Sequence, residues 1–167
     1  MNDNDPPKPL SDLLDAGTTM MVGTPSPDGL TFRPLTVASV DGDRIAILVD
    51  MTAPWATALV DGDTVYVTVS DTRDNRWLWL VGRSSLTTED AAIDELWNPF
   101  ASAYFENGRE TPGIGAMYID GESGGYWSTP SGRIGSLISM VKAKLGDPEE
   151  SGRHGEVDLG SSARSSA

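Results

Sequence analysis

The sequence predicts a mainly β protein: a small β-barrel, closed or nearly closed, with peripheral helices. Two observations predict it. About seven segments of high β propensity follow one another, and turn signals separate them at intervals of roughly 8–12 residues. The chain of 167 residues is also long enough to bury one real core. A β-sandwich is the alternative arrangement of the same strands.

Residues 1–9 are dominated by Asn, Asp and Pro and read as a disordered start. Leu10, Leu13 and Leu14 then recur at helical spacing, with Ser11 as a candidate N-cap and Gly17 as a stop. From residue 18 the period becomes two. Residues 18–24 (TTMMVGT) predict a strand, SPDG at 26–29 a turn, and 30–40 a second strand that carries Arg33 and Pro34. DGD at 41–43 turns the chain into a third strand, 44–49, with IAILV at its centre. A short helix is expected over 54–60, then a strand at 64–70 (TVYVTVS) and a longer one at 75–87, interrupted at Gly82. Thr88 is a candidate cap for a helical block in which Ile93, Leu96, Trp97 and Phe100 form one stripe and Pro99 breaks or kinks the helix. A second short helix at 101–105 leads through a loop to a final hairpin, 115–120 and 125–129, across DGESGG. Residues 134–145 are amphipathic and helical in pattern. The tail, 146–167, is rich in Gly, Ser and charge and is expected to be mobile or laid over another surface. The barrel domain is therefore placed at 10–145.

Composition excludes several functions. Twelve Lys+Arg against 25 Asp+Glu give a formal charge of −13, which disfavours nucleic acid and anionic membranes as partners. The absence of Cys and the single His, His154, remove thiolate metal sites, thiol nucleophiles and most His-based chemistry. The two DGD stretches lack the other ligands of a calcium loop and read as turns, so no metal is expected. No apolar run reaches the roughly 18 residues of a membrane span. The acidic, Pro-containing start is unlike a signal peptide, so the chain reads as cytoplasmic.

The order of motifs resembles the pyridoxamine-phosphate-oxidase-like FMN-binding split barrels, in particular the branch called general stress protein 26. The segments that carry the resemblance are Gly29-Leu30 with Phe32-Arg33-Pro34-Leu35; Gly82 followed by Glu95-Leu96-Trp97-Asn98-Pro99; Tyr104-Phe105-Glu106-Asn107-Gly108 with Pro112; Tyr126-Trp127-Ser128; and Gly155-Glu156-Val157-Asp158-Leu159 behind Met140 to Lys144. The resemblance implies a homodimer of split barrels with a flavin phosphate at each of two sites between subunits. It implies an FMN-binding protein and a possible flavin-dependent oxidoreductase, and leaves the substrate open. A non-catalytic flavin-binding protein, or a barrel without ligand, is the alternative.

Arg33 is the most informative residue. Its guanidinium is a planar fork suited to phosphate oxygens and stays charged at any usable pH. The resemblance implies that Arg33, like the matching arginine of the family, contacts the flavin phosphate or its surroundings. The other reading is a strand arginine paired with a surface carboxylate. Pro34 removes a ladder donor and marks an edge or bulge, with Leu35 beside it. The second phosphate segment departs from the family pattern. In Val49-Asp50-Met51-Thr52-Ala53-Pro54-Trp55, Ala53 and Trp55 stand where a Ser and a Lys are expected. Thr52 and the N–H groups of the following helix are the available substitutes. Asp50 would repel a phosphate. With the Ser and the Lys replaced, the expected cofactor widens from FMN to FAD, a deazaflavin or none. Trp127 is expected to wall the flavin ring. Trp77 and Trp79 share one strand face, which predicts a core or subunit interface. No catalytic acid or base is visible.

Overall fold

A computed structural model describes residues 7–128 and 153–159. In chain order these form β1 (Lys8–Pro9), β2 (Thr19–Ser26), β3 (Gly29–Thr36), β4 (Ser39–Asp41), β5 (Arg44–Asp50), α1 (Pro54–Ala58), β6 (Thr64–Asp71), β7 (Arg76–Thr87), α2 (Asp90–Leu96), α3 (Pro99–Tyr104), β8 (Ile114–Ser128) and β9 (Arg153–Asp158). The sheet path runs β3–β2–β6–β7–β8. The first half of β8 also pairs with β5, which pairs with β4; its second half pairs with β9, which takes β1 in parallel. Only Val37 and Ala38 separate β3 from β4, so the sheet curls back on itself. Ala38 N–H still donates to the Ala46 carbonyl at 2.8 Å, but beyond that point β3 and β5 share no ladder. The barrel is split between them.

Alternation decides the filling. Met20 and Val22, Ile45, Ile47 and Val49, Val65, Val67 and Val69, Leu78 and Leu80, and Met117 and Ile119 all point inward and are buried. The helices cover the opposite face of β5 and β8: Ile93, Ala101 and Phe105 pack with Ile114, and Leu96 with Ala46 and Ala116. A strand covered on both sides has no polar face, which accounts for the unbroken apolar run of β5.

Several elements differ from the sequence reading. Leu10, Leu13 and Leu14 are buried as expected, yet they surround only a single 3₁₀ turn, Leu10–Asp12, preceded by Pro9 with no side-chain cap. Ser11 therefore lies inside the turn and caps nothing. The second strand is broken at Val37-Ala38, where the chain crosses the split. The cap position of α2 is Glu89, not Thr88, and its side chain makes no capping bond. Pro99 breaks the helix, one of its two expected effects, and starts α3, so Phe100 leaves the expected apolar stripe and is 53% exposed. The expected final hairpin is one continuous strand of 15 residues. Glu122 bulges from it, because Val81 faces Ser123 while Gly82 faces Gly121. The glycines of DGESGG serve close approach, not reversal: a Cβ at Gly121 would meet the Asp43 carbonyl oxygen at 3.1 Å, and one at Gly124 the Trp79 carbonyl oxygen at 2.9 Å. Part of the expected tail, Arg153–Asp158, is a strand of the sheet, with Val157 buried. The helix expected at 134–145 lies outside the described residues.

Asn98 caps α3 and ties it to the barrel. Its Oδ1 accepts from Ala101 N–H at 3.0 Å, and its Nδ2 donates to the Ala38 carbonyl at 3.3 Å. Asn98→Ala is expected to cost about 1 kcal/mol or slightly more, as lost caps do, read as a lower midpoint in urea unfolding at unchanged slope.

Candidate functional site

The split puts Arg33 in an unusual position. Arg33 faces Val22 across the β2–β3 ladder, on the inward side of the sheet's edge strand. Its Nη1 donates to Thr24 Oγ1 at 2.7 Å, and Thr24 is fully buried. Its guanidinium carbon lies 4.3 Å from the centre of the Trp55 ring, a cation–π contact with α1. Partial burial lowers the Arg33 pKa from its ordinary value, with desolvation as the sole cause; the group stays cationic. By contrast, Asp120 raises the Arg44 pKa, and Asp90 and Asp94 raise that of Arg109. Arg44, Arg76, Arg83 and Arg109 all form ion pairs with Asp or Glu. Arg33 forms none with any described residue. Of its five donors, one has a hydrogen-bond acceptor among the described residues, a state in which a guanidinium has the chemistry to take an anion.

The turn between β5 and α1 leads into Trp55. Asp50 Oδ1 accepts from both the Thr52 N–H at 2.8 Å and the Thr52 hydroxyl at 2.6 Å. These bonds, the hydroxyl's first, hold the Asp50 pKa below the ordinary carboxylate range against an opposing desolvation. Thr52 is thus spent on Asp50 and is not free for phosphate. It is not the helix cap either; that position is Ala53, with no side-chain bond. Helix α1 has five residues and Pro54 at its start, so it offers few N–H groups to a ligand. Because the folded pKa of Asp50 is depressed, its contribution to stability is present above the unfolded carboxylate pKa and fades as pH falls through the folded value. Thr52→Ala is expected to move the Asp50 titration back up toward the ordinary carboxylate range, measured by carboxyl-carbon NMR.

The other expected site residues divide. Pro34 is exposed on the sheet edge, and Leu35 is partly buried against the core and follows the split. Val49 is 2% exposed and faces the barrel interior, so its side chain belongs to the core rather than to a ligand. Trp127 lies elsewhere in the chain: it faces Trp77 across the β7–β8 ladder, on the outer side of the sheet, with β7, β6 and β2 between its strand and β3. Trp77 and Trp79 do share one face, and it is the outer face, not the core. Thr24 was not singled out in the sequence; the signal available was its place two residues after Val22 on the inward side of β2. Among the described residues no group of His, Asp or Glu is placed to hold a metal, and no helix is long and apolar enough to cross a membrane.

This architecture is that of a split β-barrel with a cation at the mouth of its split. The chain belongs to the pyridoxamine 5'-phosphate oxidase like family, whose model matches residues 5–150. Among solved structures it is similar to a general stress protein 26 from Jannaschia sp. CCS1, at 24% identity and TM-score 0.70, covering 87% of this chain and 92% of that one. It is also similar to a general stress FMN/FAD binding protein from Xanthomonas citri, at 25% identity and TM-score 0.59, covering 70% and 83%. A pyridoxamine 5'-phosphate oxidase-related, FMN binding protein from Nostoc punctiforme PCC 73102 shares the fold at 11% identity and TM-score 0.54, covering 67% and 74%. No curated protein of described function matches.

Proposed function

We propose that this protein binds a flavin nucleotide in the split between β3 and β5, with Arg33 meeting the phosphate and Trp55 holding the guanidinium in place. The observation that carries this reading is the half-buried Arg33 without an acidic partner among the described residues. The similarity to the FMN/FAD binding protein of Xanthomonas citri supports it. FMN is the first candidate; FAD or a deazaflavin also carries a phosphate that Arg33 can hold. A bound flavin supplies electron transfer, and this chain supplies binding and position. With Thr52 engaged by Asp50 and Trp55 in place of a lysine, the phosphate rests on one cation, so affinity is expected to be modest.

The reading includes a homodimer. Met21, Phe32, Tyr66, Trp77, Trp79 and Trp127 are large side chains exposed on the outer face of the sheet. Cross-strand register makes them neighbours: Phe32 with Tyr66 through Gly23, Met21 with Trp79 through Thr68, and Trp77 with Trp127. An apolar patch of this kind suits a protein interface, and a second copy would bring a Trp127 toward the split that its own chain does not supply. Oxidoreductase activity follows if the bound flavin is reduced by a nicotinamide or another donor; a flavin that binds but never turns over favours the non-catalytic alternative.

The absorbance spectrum of the purified protein, with mass spectrometry of any co-purifying small molecule and sedimentation for the oligomer, tests the whole reading. Flavin bands and a dimer are expected. A colourless protein whose melting temperature is unmoved by millimolar FMN would overturn it, since a ligand in large excess over its Kd adds a few kcal/mol.

A further inference from the structure

The split has a second end. Past Arg33, the edge of β3 that pairs with no described strand runs through Leu35 and Thr36 to the Val37-Ala38 bend, and there α3 faces it across a cleft of about 240 Å³. Leu35 and Leu48, from the two strands flanking the split, and Phe100 and Phe105 form its apolar walls. None of the described residues lining it is charged, although 22% of the chain is.

The aromatic wall is held in place. Phe100 ring carbons lie 2.6–2.9 Å from where a Cβ at Gly17 would stand, and Gly17 has φ of +87°. Gly17 is therefore required both for its backbone and for the ring that rests on it, and Phe100 keeps one face toward the cleft while 53% exposed. The polar side chain of Asn98 is spent on α3 and on Ala38. The hydroxyls of Thr19 and Thr36, both in the lining, make no hydrogen bond to a described residue.

An anion entering this cleft would lose hydration and find no cation, inside a chain of net charge −13. An uncharged planar ring would bury its faces on Leu35, Leu48 and Phe100 and set a carbonyl or hydroxyl against a threonine hydroxyl. A cavity of about 150 Å³ holds benzene, so this one has room for two fused rings. We propose that the cleft is the substrate side of the site and selects uncharged, planar bicyclic molecules over phosphate- or sulfonate-bearing ones. Its role as a substrate site rests on the flavin reading above. Its ligand preference rests on the cleft alone.

The test titrates the full chain, with and without FMN, with 1,4-naphthoquinone and with its 2-sulfonate, following backbone amides of Gly17, Thr36 and Ala103 by NMR. The neutral probe is expected to shift these amides with at least tenfold higher affinity than the sulfonate. Phe100→Ala should weaken it about fivefold or more. Ala103→Arg, on the exposed side of α3 where a cation does not disturb the core, should narrow or reverse the preference. Equal or tighter binding of the sulfonate at these amides, or no shift with the neutral probe, overturns the proposal. Flavin binding is read separately by absorbance: FMN bound without cleft shifts sinks this inference alone, and cleft shifts in a protein that takes no FMN sink the flavin reading and the substrate role with it, leaving only the neutral-ring preference.

Discussion

Arg33→Ala is expected to weaken FMN binding at least about tenfold, the loss of one charge-assisted contact worth roughly 1.5–3 kcal/mol. The effect should be large here because no other described residue brings a cation to Arg33's position. Thr52 donates to Asp50, Trp55 of α1 carries no charge, and Arg44, Arg76, Arg83 and Arg109 are tied to carboxylates. The variant also removes the donor to Thr24 Oγ1, whose residue is fully buried, so a modest loss of stability in the flavin-free protein accompanies it. Arg33→Lys separates the two effects. It keeps the charge but not the planar fork, and is expected to recover part of the FMN affinity. Fluorescence titration of FMN against the three proteins, with flavin-free melting curves beside it, gives the answer. Unchanged affinity in Arg33→Ala would remove Arg33 from the site.

What the sequence made legible was what depends on local pattern. The alternation in β6 and the doubly apolar run of β5 gave their strands directly, since each follows from which faces are covered. Arg33 stood out because a cation among Thr and apolar residues on an edge strand has few structural uses. Trp77 and Trp79 were correctly placed on one face by period alone, but that period does not say whether the face looks inward or outward. Long-range facts were hidden. A glycine cluster signals a turn or a close approach with the same letters, and only the carbonyls of Asp43 and Trp79 lying against β8 decide between them. Residues 153–158 have weak strand propensity of their own; β9 exists because β8 and β1 offer it ladders on both sides. The capture of Thr52 by Asp50 is a two-residue contact, yet it depends on the carboxylate turning back along the chain rather than outward. Trp127 was singled out with Arg33, and within one chain the two do not meet, because β2, β6 and β7 lie between their strands and strand order in a sheet is not a local pattern.

Gly82→Ala is expected to cost about 3 kcal/mol, the upper end of what overpacking does. Gly82 directly follows the apolar run Trp77–Val81 in β7, and the physical reason for a glycine there is its neighbour across the ladder. An ideal Cβ at Gly82 would stand 2.5 Å from the Asp120 carbonyl oxygen and 2.9 Å from Ile119 Cγ2. The backbone cannot retreat easily. β8 is held at that point by β5 on its other side, where Arg44 pairs with Asp120 in register and their side chains form an ion pair at 2.7 Å. Ile119 is fully buried, so its methyl has no free volume to enter. For a chain of this length such a loss lowers the melting temperature by roughly 6–12 °C. Gly62→Ala is the matched control. Gly62 has φ of +89° but nothing within 4 Å of its ideal Cβ, so only the backbone cost of about 1 kcal/mol applies. Thermal melts of both variants decide the matter: equal losses would mean that the close approach of β7 and β8 at the bulge is not what requires a glycine there.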